Sequence, residues 1–222
     1  MNLLSTIVLV TGLTVLTFCN SNNQQRVNKS RKVEISTNIN FNFDNYKPKD
    51  WEIAITGEGN MCDWKLIDDH GNKILAQLSN EQTDYRFNLI TNNHLNYKDV
   101  ELSVKFKGID GEGDQGGGPI WRYIDPNNYY VARANPLENN FRVYKVVNGN
   151  RIELESASIK INSKQWYNIK IIMKGDRIQC FFNNILELNT TDKTFQDAGR
   201  IGLWTKSDAV TYFDDLIVKN KE

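Results

Sequence analysis

Residues 100–107, Val100-Glu101-Leu102-Ser103-Val104-Lys105-Phe106-Lys107, alternate apolar and polar side chains without a break. Because successive side chains of a β-strand point to opposite faces, this stretch predicts a strand with one buried and one solvated face. Residues 167–173 follow the same rule, with apolar side chains at Tyr167, Ile169, Ile171 and Met173. Strands of this kind are typical of antiparallel sheets that bury only one face.

Short strand candidates continue along most of the chain. Turn signals such as Asn148-Gly149-Asn150 and Asn183-Asn184 separate them, and no segment sustains the 3.6-residue apolar period of a helix. Short strands between tight turns favour an all-β sandwich or barrel, and this chain length favours a jelly roll of two large sheets. The further predicted strands are 51–56, 62–67, 74–79, 86–91, 118–124, 128–134, 140–147, 150–156, 177–182, 185–189, 199–205 and 210–218.

The composition limits the classes of protein that the chain can represent. Its 222 residues, 40% hydrophobic and 24% charged, suit one medium-sized domain. Its 27 basic residues balance 27 acidic ones, and no nucleic-acid-reading motif is present. We therefore expect no nucleic-acid partner.

The amino terminus has the pattern of an export signal. Residues 3–18 carry no charge and are shorter than the roughly 20 residues of a spanning helix, so they predict a signal-peptide core. The run Leu16-Thr17-Phe18-Cys19 resembles a bacterial lipobox, which implies lipidation of Cys19. Phe18 departs from that pattern, because a small residue usually stands there. The alternatives are plain secretion and a retained anchor.

These features predict three segments. Residues 1–19 are the signal peptide with its lipobox-like end, residues 20–44 are a polar tether, and residues 45–222 are the folded domain. The predicted location is the bacterial cell envelope, either membrane-anchored through the N-terminal lipid or secreted. Two other cysteines, Cys62 and Cys180, form a disulfide or remain two buried thiols.

Three runs of residues together resemble a known family. They are Gly116-Gly117-Gly118-Pro119-Ile120-Trp121-Arg122-Tyr123, residues 128–140, and Gly202-Leu203-Trp204-Thr205 leading into Phe213-Asp214-Asp215. They resemble a bacterial group of concanavalin A-like lectin/glucanase domains, allied to the laminarinase-like 3-keto-disaccharide hydrolase family. The resemblance covers about residues 50–219. It implies a concanavalin A-like jelly-roll sandwich of two antiparallel sheets and an association with carbohydrate.

A search for catalytic residues leaves the catalytic set unassigned. Laminarinase-type enzymes carry a Glu-x-Asp-x-x-Glu strand, which the chain lacks. Glu153 and Glu155 would share one strand face about 7 Å apart, and we interpret that face as solvated. His94 with Asp84 or Asp99 would be the nearest acid–base set for a 3-keto-glucoside hydrolase or lyase, and a surface-loop histidine is the alternative.

A saccharide site needs aromatic faces and planar hydrogen-bonding groups. Strand parity predicts that Trp121 and Tyr123 share one face, with Ile120, Arg122 and Ile124 on the other. Either Arg122 points inward and pairs with Asp114 or Asp214, or Arg122 lies in a groove and Trp121 in the core. The candidate ligand-binding residues are Trp121, Arg122, Tyr123, Tyr130, Arg133, Asn135, Arg142 and Trp204.

Two acidic features raise the question of a cofactor. The loop Gly108–Gly118 holds six glycines and three acidic residues, which suits a flexible hairpin connection or oxygen ligands for calcium. Asp214 and Asp215 lie within a strand, so one is expected to face inward, either hydrogen-bonded or on a structural calcium ion. No other cofactor is predicted.

Three hypotheses of function remain at this point. The leading one is an exported carbohydrate-associated domain that binds or processes a polysaccharide or glycoside. The second is a 3-keto-disaccharide hydrolase or lyase-type enzyme. The third is a structural or adhesion lipoprotein.

Overall fold

The computed structural model describes residues 38–44 and 47–221. Within those residues the chain forms fifteen β-strands and one short 3-10 turn, Pro48–Asp50. The predicted signal peptide, Cys19 and most of the predicted tether lie outside the described residues. No helix of the described part is long and apolar enough to cross a membrane.

The first sheet has eight strands, all paired antiparallel. Its order is β13-β12-β11-β6-β15-β4-β3, and β1 pairs with the carboxyl half of β15. The bounds are β1 (Asn38–Phe41), β3 (Trp64–Asp69), β4 (Asn72–Gln77), β6 (Val100–Asp110), β11 (Tyr167–Lys174), β12 (Arg177–Phe182), β13 (Ile185–Thr191) and β15 (Val210–Asn220).

The second sheet has seven antiparallel strands in the order β10-β9-β8-β7-β14-β5-β2. The bounds are β2 (Trp51–Thr56), β5 (Phe87–Tyr97), β7 (Gly117–Asp125), β8 (Asn128–Asn135), β9 (Asn140–Val147), β10 (Asn150–Ser158) and β14 (Gly199–Lys206). Every predicted strand is present, which confirms the all-β sandwich of two antiparallel sheets.

The main core lies between the inner faces of the two sheets. It joins Leu102, Val104 and Phe106 of the first sheet to aromatic and aliphatic side chains of the second, all fully buried. Trp121 stacks on Tyr130 with ring centroids 5.6 Å apart. The apolar positions of the alternating pattern that predicted β6 are therefore the positions buried against the opposite sheet.

The folded domain begins earlier than predicted. β1 lies within residues 20–44, the predicted tether, and pairs with β15 from Asn38↔Lys219 to Phe41↔Leu216. This four-residue strand has no long alternating pattern, and only its pairing with β15 makes it a strand. The tether boundary at residue 44 is therefore wrong.

Asp214 and Asp215 lie at an irregularity in β15. A bulge between Asp214 and Ile217, with φ of 47° at Asp215, interrupts the alternation of β15. Asp214 accepts a hydrogen bond from the Asn72 amide at 3.0 Å, and Asp215 pairs with Lys105 at 2.7 Å. Asp214 is 5% exposed, so one of the two carboxylates is buried, and it is hydrogen-bonded as the first alternative expected. Asp214 is a buried, hydrogen-bonded aspartate.

The two remaining cysteines are both free and buried. Burial raises the pKa of the Cys62 thiol to about 11, so it stays protonated and unreactive at neutral pH.

Among the described residues, no group of three or more His, Cys, Asp or Glu side chains is placed to hold a metal ion.

Candidate functional site

The outer face of the seven-stranded sheet carries a second apolar cluster, separate from the core. Its buried members are Phe87, Leu89, Ile120, Tyr123, Tyr129, Val131, Tyr144, Val146 and Trp204. The Trp204 indole N–H donates to the Tyr129 hydroxyl at 3.0 Å. Apolar side chains on an outward sheet face need cover from water, and the curvature of the sheet supplies part of it.

One arginine demonstrates that curvature. The guanidinium carbon of Arg151 lies 5.7 Å from the Phe87 ring and 4.6 Å from the Tyr144 ring. Phe87 is on β5 and Tyr144 on β9, four strand spacings away, which would be about 19 Å in a flat sheet. One cation reaches both rings only because the sheet bends around them. The outer face is therefore concave.

Glycines permit this close folding. A Cβ atom on Gly118 would overlap the backbone carbonyl oxygen of Ala132, and one on Gly202 would overlap that of Ile90. Both positions lie on strands in the middle of the concave sheet, β7 and β14. A side chain at either position would push neighbouring strands apart.

A pocket opens beside the aromatic cluster. Its volume is about 380 Å³, within the range of small-ligand sites. The pocket combines two aromatic rings with one carboxylate, one amide and two cationic side chains. Its lining residues are Asp84, Tyr85, Phe87, Asn150, Arg151 and Lys206.

Tyr85 is unusual in both exposure and backbone conformation. Its side chain is 80% exposed, although aromatic rings are mostly buried in this domain. Its φ is 56°, in the left-handed region that bulky residues rarely adopt. The Thr56 hydroxyl donates to the Tyr85 carbonyl at 3.2 Å and helps to hold this conformation. The result is an aromatic face presented to solvent at the rim of the pocket.

The end of the concave face next to Lys206 is polar and tightly paired. Arg133 lies 3.2 Å from Asp114 and 2.8 Å from Glu138, and both members of the first pair are almost fully buried. Asp114 also accepts hydrogen bonds from the Gly116 N–H at 2.6 Å and the Asn135 amide at 3.2 Å. This network fixes the backbone that enters β7.

Glu138 completes the network at the surface. Burial alone would raise the pKa of its carboxyl, but hydrogen bonds from Arg133 and Asn140 and the charge of Arg142 lower that pKa to about 2. A carboxylate so stabilised is a weak base. Glu138 therefore positions the arginines and is a poor candidate for proton transfer.

The glycine-rich loop is ordered by one side chain. The Asp208 carboxylate accepts three backbone N–H groups, from Glu112 at 2.7 Å and from Gly113 and Asp114 at 2.9 Å each. Burial would raise the pKa of Asp208, but these hydrogen bonds lower it below its ordinary value. The loop interpreted as a flexible connection is thus held in place by Asp208.

The structure removes three predicted ligand-binding residues from the concave face. Trp121 and Tyr130 stack on each other inside the core. Arg122 is 1% exposed and donates to the carbonyls of Phe195 and Gly175. Buried in these contacts, none of the three lies on the concave surface.

A bulge in β7 explains why parity failed. Arg122 has φ of 46°, and the register with β8 shifts after Trp121. Trp121 therefore points inward while Tyr123 points to the concave face, and the prediction that they share a face is wrong. Ile124, expected beside Ile120, is 59% exposed.

The pairing predicted for Arg122 is also wrong. Its carboxylate partner is Asp99 at 3.3 Å, neither Asp114 nor Asp214. Arg122 donates to the carbonyls of Lys98, Phe195 and Gly175 and lines a second pocket of about 330 Å³ beside them.

Five predicted residues do lie on the concave side. They are Tyr123, Arg133, Asn135, Arg142 and Trp204. Trp204 belongs to the aromatic cluster. Arg142 reaches Glu138 and Glu153, at 3.3 Å each. Their role as ligand contacts stays a prediction.

The acid–base sets weighed from the sequence do not assemble. A bulge separates Glu153, opposite Tyr144, from Glu155, opposite Val143. Glu155 instead accepts the N–H of Asn189 in the other sheet, so the two glutamates do not share a face. His94 lies 3.3 Å from Asp50, and is paired with neither Asp84 nor Asp99.

Sequence reasoning missed the two residues that distinguish the pocket, Tyr85 and Arg151. Arg151 follows the Asn148-Gly149-Asn150 turn and pairs in register with Val146, so its strand was predictable. The curvature that carries its guanidinium over rings of distant strands was not. Tyr85 sits in a polar loop, and a tyrosine gives no sequence signal for the left-handed conformation that it adopts there.

Comparison with known proteins places this geometry in a family. The 3-keto-alpha-glucoside-1,2-lyase-like domain matches residues 41–219, which is most of the chain. The chain belongs to this family. The match extends over both sheets of this lyase-like domain, from the last residue of β1 to the penultimate residue of β15. No curated protein sequence matches it significantly.

Solved structures share the fold of the lyase-like domain at low sequence identity. The carbohydrate binding module CBM66 from Bacillus subtilis is 19% identical with a TM-score of 0.63, covering 77% of this chain and 96% of the module. Cellulose induced protein Cip1 is 10% identical with a TM-score of 0.60, covering 81% and 96%. The VIP36 exoplasmic/lumenal domain, in a Ca²⁺- and mannose-bound form, is 11% identical with a TM-score of 0.55, covering 76% and 82%. These likenesses confirm the concanavalin A-like sandwich.

Proposed function

We propose that the domain binds a saccharide in the pocket on its concave face. The observation that carries this proposal is Tyr85, an exposed aromatic ring in a strained backbone conformation at the rim of a pocket with polar walls. Sugar rings offer apolar C–H faces to an aromatic ring and hydroxyls to planar polar groups. Family membership and the carbohydrate-binding relatives support the same ligand class.

Binding is tested with a glycan array, followed by calorimetry on the glycans that are retained. Loss of the Tyr85 contact removes burial worth about 1.5–3 kcal/mol, so Tyr85→Ala is expected to weaken binding by about 10- to 100-fold. Tyr212→Ala is the matched control, because Tyr212 lies on the eight-stranded sheet beside Lys107. Equal affinity of the Tyr85 variant and the control would place the site elsewhere. A domain that retains no glycan would favour the structural or adhesion hypothesis.

Family membership favours a second candidate, a lyase acting on 3-keto-glucosides. A 1,2-elimination breaks the C2–H bond beside the ketone, forms a C1–C2 double bond and expels the group at C1. In this pocket Asp84 is a carboxylate that would take the C2 proton, and Lys206 is a cation near the developing oxyanion. Incubation with a 3-keto-glucoside should release the aglycone, and Asp84→Asn should stop the release. Unchanged turnover in that variant would exclude Asp84 as the base.

We also propose that the chain is exported and held at the bacterial cell envelope by a lipid on Cys19. The uncharged run before Cys19 and the polar residues after it support this location. Cys19→Ala should move the protein from the membrane fraction to the soluble fraction. Continued membrane retention of this variant would rule out the lipid as the anchor.

A further inference from the structure

Arg151 differs from the other arginines of the concave face in its partners. Arg133 and Arg142 each pair with Glu138, and Arg200 pairs with Glu52. Among the described residues, Arg151 has no carboxylate within 4.0 Å. Its Nη1 is buried and makes no hydrogen bond.

Arg151 is half-buried, and its Nη1 end is shielded from water without an ion-pair partner among the described residues. It lies within 5.7 Å of the rings of Phe87 and Trp204 and closer to Tyr144. Ring faces stabilise a cation, but they leave its N–H donors unsatisfied. Burial lowers the pKa of Arg151, and the more distant charges of Asp114 and Glu138 offset part of this effect. A buried unpaired donor on a charged group is costly unless a ligand satisfies it.

The remaining pocket residues add to the positive character beside Arg151. Lys206 lines the same pocket, and its nearest carboxylate is Asp114, which Arg133 already engages at a shorter distance. Asn150 supplies an amide next to Arg151. The one pocket carboxylate, Asp84, is exposed beside Tyr85. Asn150 is exposed as well, whereas Arg151 and Lys206 are half-buried, so the less exposed polar side chains of the pocket are both cations.

We propose that the saccharide bound in this pocket carries an anionic group, a carboxylate or a sulfate, and that Arg151 binds this group. The inference rests on the function proposed above. Planar guanidinium donors match the paired oxygens of either anion. The aromatic cluster holds the guanidinium in place, and Lys206 contributes a second positive charge. Tyr85 at the rim is free to contact the sugar ring.

The same glycan array tests this inference when it includes neutral, uronic acid-containing and sulfated glycans. We expect retention of anionic glycans, and the uronate and sulfate arms identify which anion is bound. Arg151→Met preserves apolar contact with the rings and removes the charge. It should weaken anionic binding by roughly 10- to 100-fold, since hydrogen bonds to charged groups are among the strong ones. Arg151→Lys keeps the charge without the planar guanidinium donors, so it should lose less affinity for anionic glycans than Arg151→Met.

Arg177→Met is the matched control, because Arg177 is exposed on β12 of the other sheet. A second readout needs no glycan. It is the difference between the thermal midpoints measured in sodium sulfate and in sodium chloride at equal ionic strength. Because sulfate stabilises proteins generally, the informative quantity is how much more sulfate raises the thermal midpoint of the wild type than that of Arg151→Met. We call this difference the sulfate excess. The excess should be present in the wild type and in the control.

The outcomes separate this inference from the function on which it rests. Binding of neutral glycans alone would overturn the anionic ligand, and equal anionic binding by the wild type and Arg151→Met would overturn the role of Arg151. Either outcome leaves saccharide binding intact. Retention of no glycan of any charge would overturn both. If Arg151→Met is unfolded, judged by circular dichroism, Arg151→Lys takes its place as the reference for both glycan binding and the sulfate effect. Unchanged anionic binding by Arg151→Lys, with no excess sulfate stabilisation of the wild type over it, would then refute the role of Arg151.

Discussion

Replacing Arg133 by methionine should destabilise the domain by about 3 kcal/mol. Asp114 is completely buried and lies 3.2 Å from Arg133, so the substitution leaves a buried carboxylate without its main counter-charge. Breaking a buried pair in this way costs about 3–5 kcal/mol. Asp114 would keep the Gly116 N–H, the Asn135 amide and the more distant Lys206, which places the cost at the lower end.

Urea unfolding followed by tryptophan fluorescence measures this loss. For a domain of this size, about 3 kcal/mol corresponds to a fall in thermal midpoint of about 6–12 °C. Arg177→Met is the control, because an exposed arginine outside any buried network should change stability by less than about 0.5 kcal/mol. Methionine fills most of the space of the arginine stem, so the loss measures charge more than volume.

A double-mutant cycle isolates the pair. Asp114→Asn removes the buried charge, so adding it to Arg133→Met should restore part of the stability, with a coupling of at least about 1 kcal/mol. Two observations would refute the reasoning. One is a loss below about 1 kcal/mol in Arg133→Met, and the other is simple additivity of the two substitutions.

Two further predictions concern the fold around the site. Burial raises the pKa of Asp192, but donors from Lys145, Thr194 and Tyr130 lower it to about 2, so the stability that it contributes is present above pH 4 and lost as the pH falls towards 2. Asp192→Asn should flatten this acid dependence in urea unfolding, and an unchanged pH profile would contradict the assignment. Gly118→Ala should cost about 3 kcal/mol, because the added Cβ overlaps the carbonyl oxygen of Ala132. A midpoint within 2 °C of the wild type would show that β7 and β8 separate easily.

Most of the fold could be predicted from the sequence because period-two alternation is a local property. The alternating pattern of residues 100–107 indicates a strand with one buried face, whichever strand lies beside it. The same holds for every strand predicted between residues 51 and 218. β1 escaped prediction because four residues carry too little pattern. Parity failed at Arg122, Glu155 and Asp215, where bulges insert a residue that the alternation cannot reveal.

The candidate site could be predicted only in part. Trp204, Arg133 and Arg142 have side chains suited to a sugar site, and the sheet places them on its concave face. Trp121 and Tyr130 have the same chemistry and stack in the core instead. Residue type alone cannot separate these cases, because the large aromatic rings of this domain serve equally in a core and in a groove.

The sequence by itself determined the class of fold, the balance of charge and the family resemblance, because these depend on composition and on neighbours along the chain. Only the tertiary structure decided where the pocket lies and which cation it holds. Arg151 reaches the rings of β5 and β9 because the seven-stranded sheet bends, and bending is a property of strand packing across long separations. The same curvature buries Nη1 of Arg151, and among the described residues no carboxylate forms an ion pair with it.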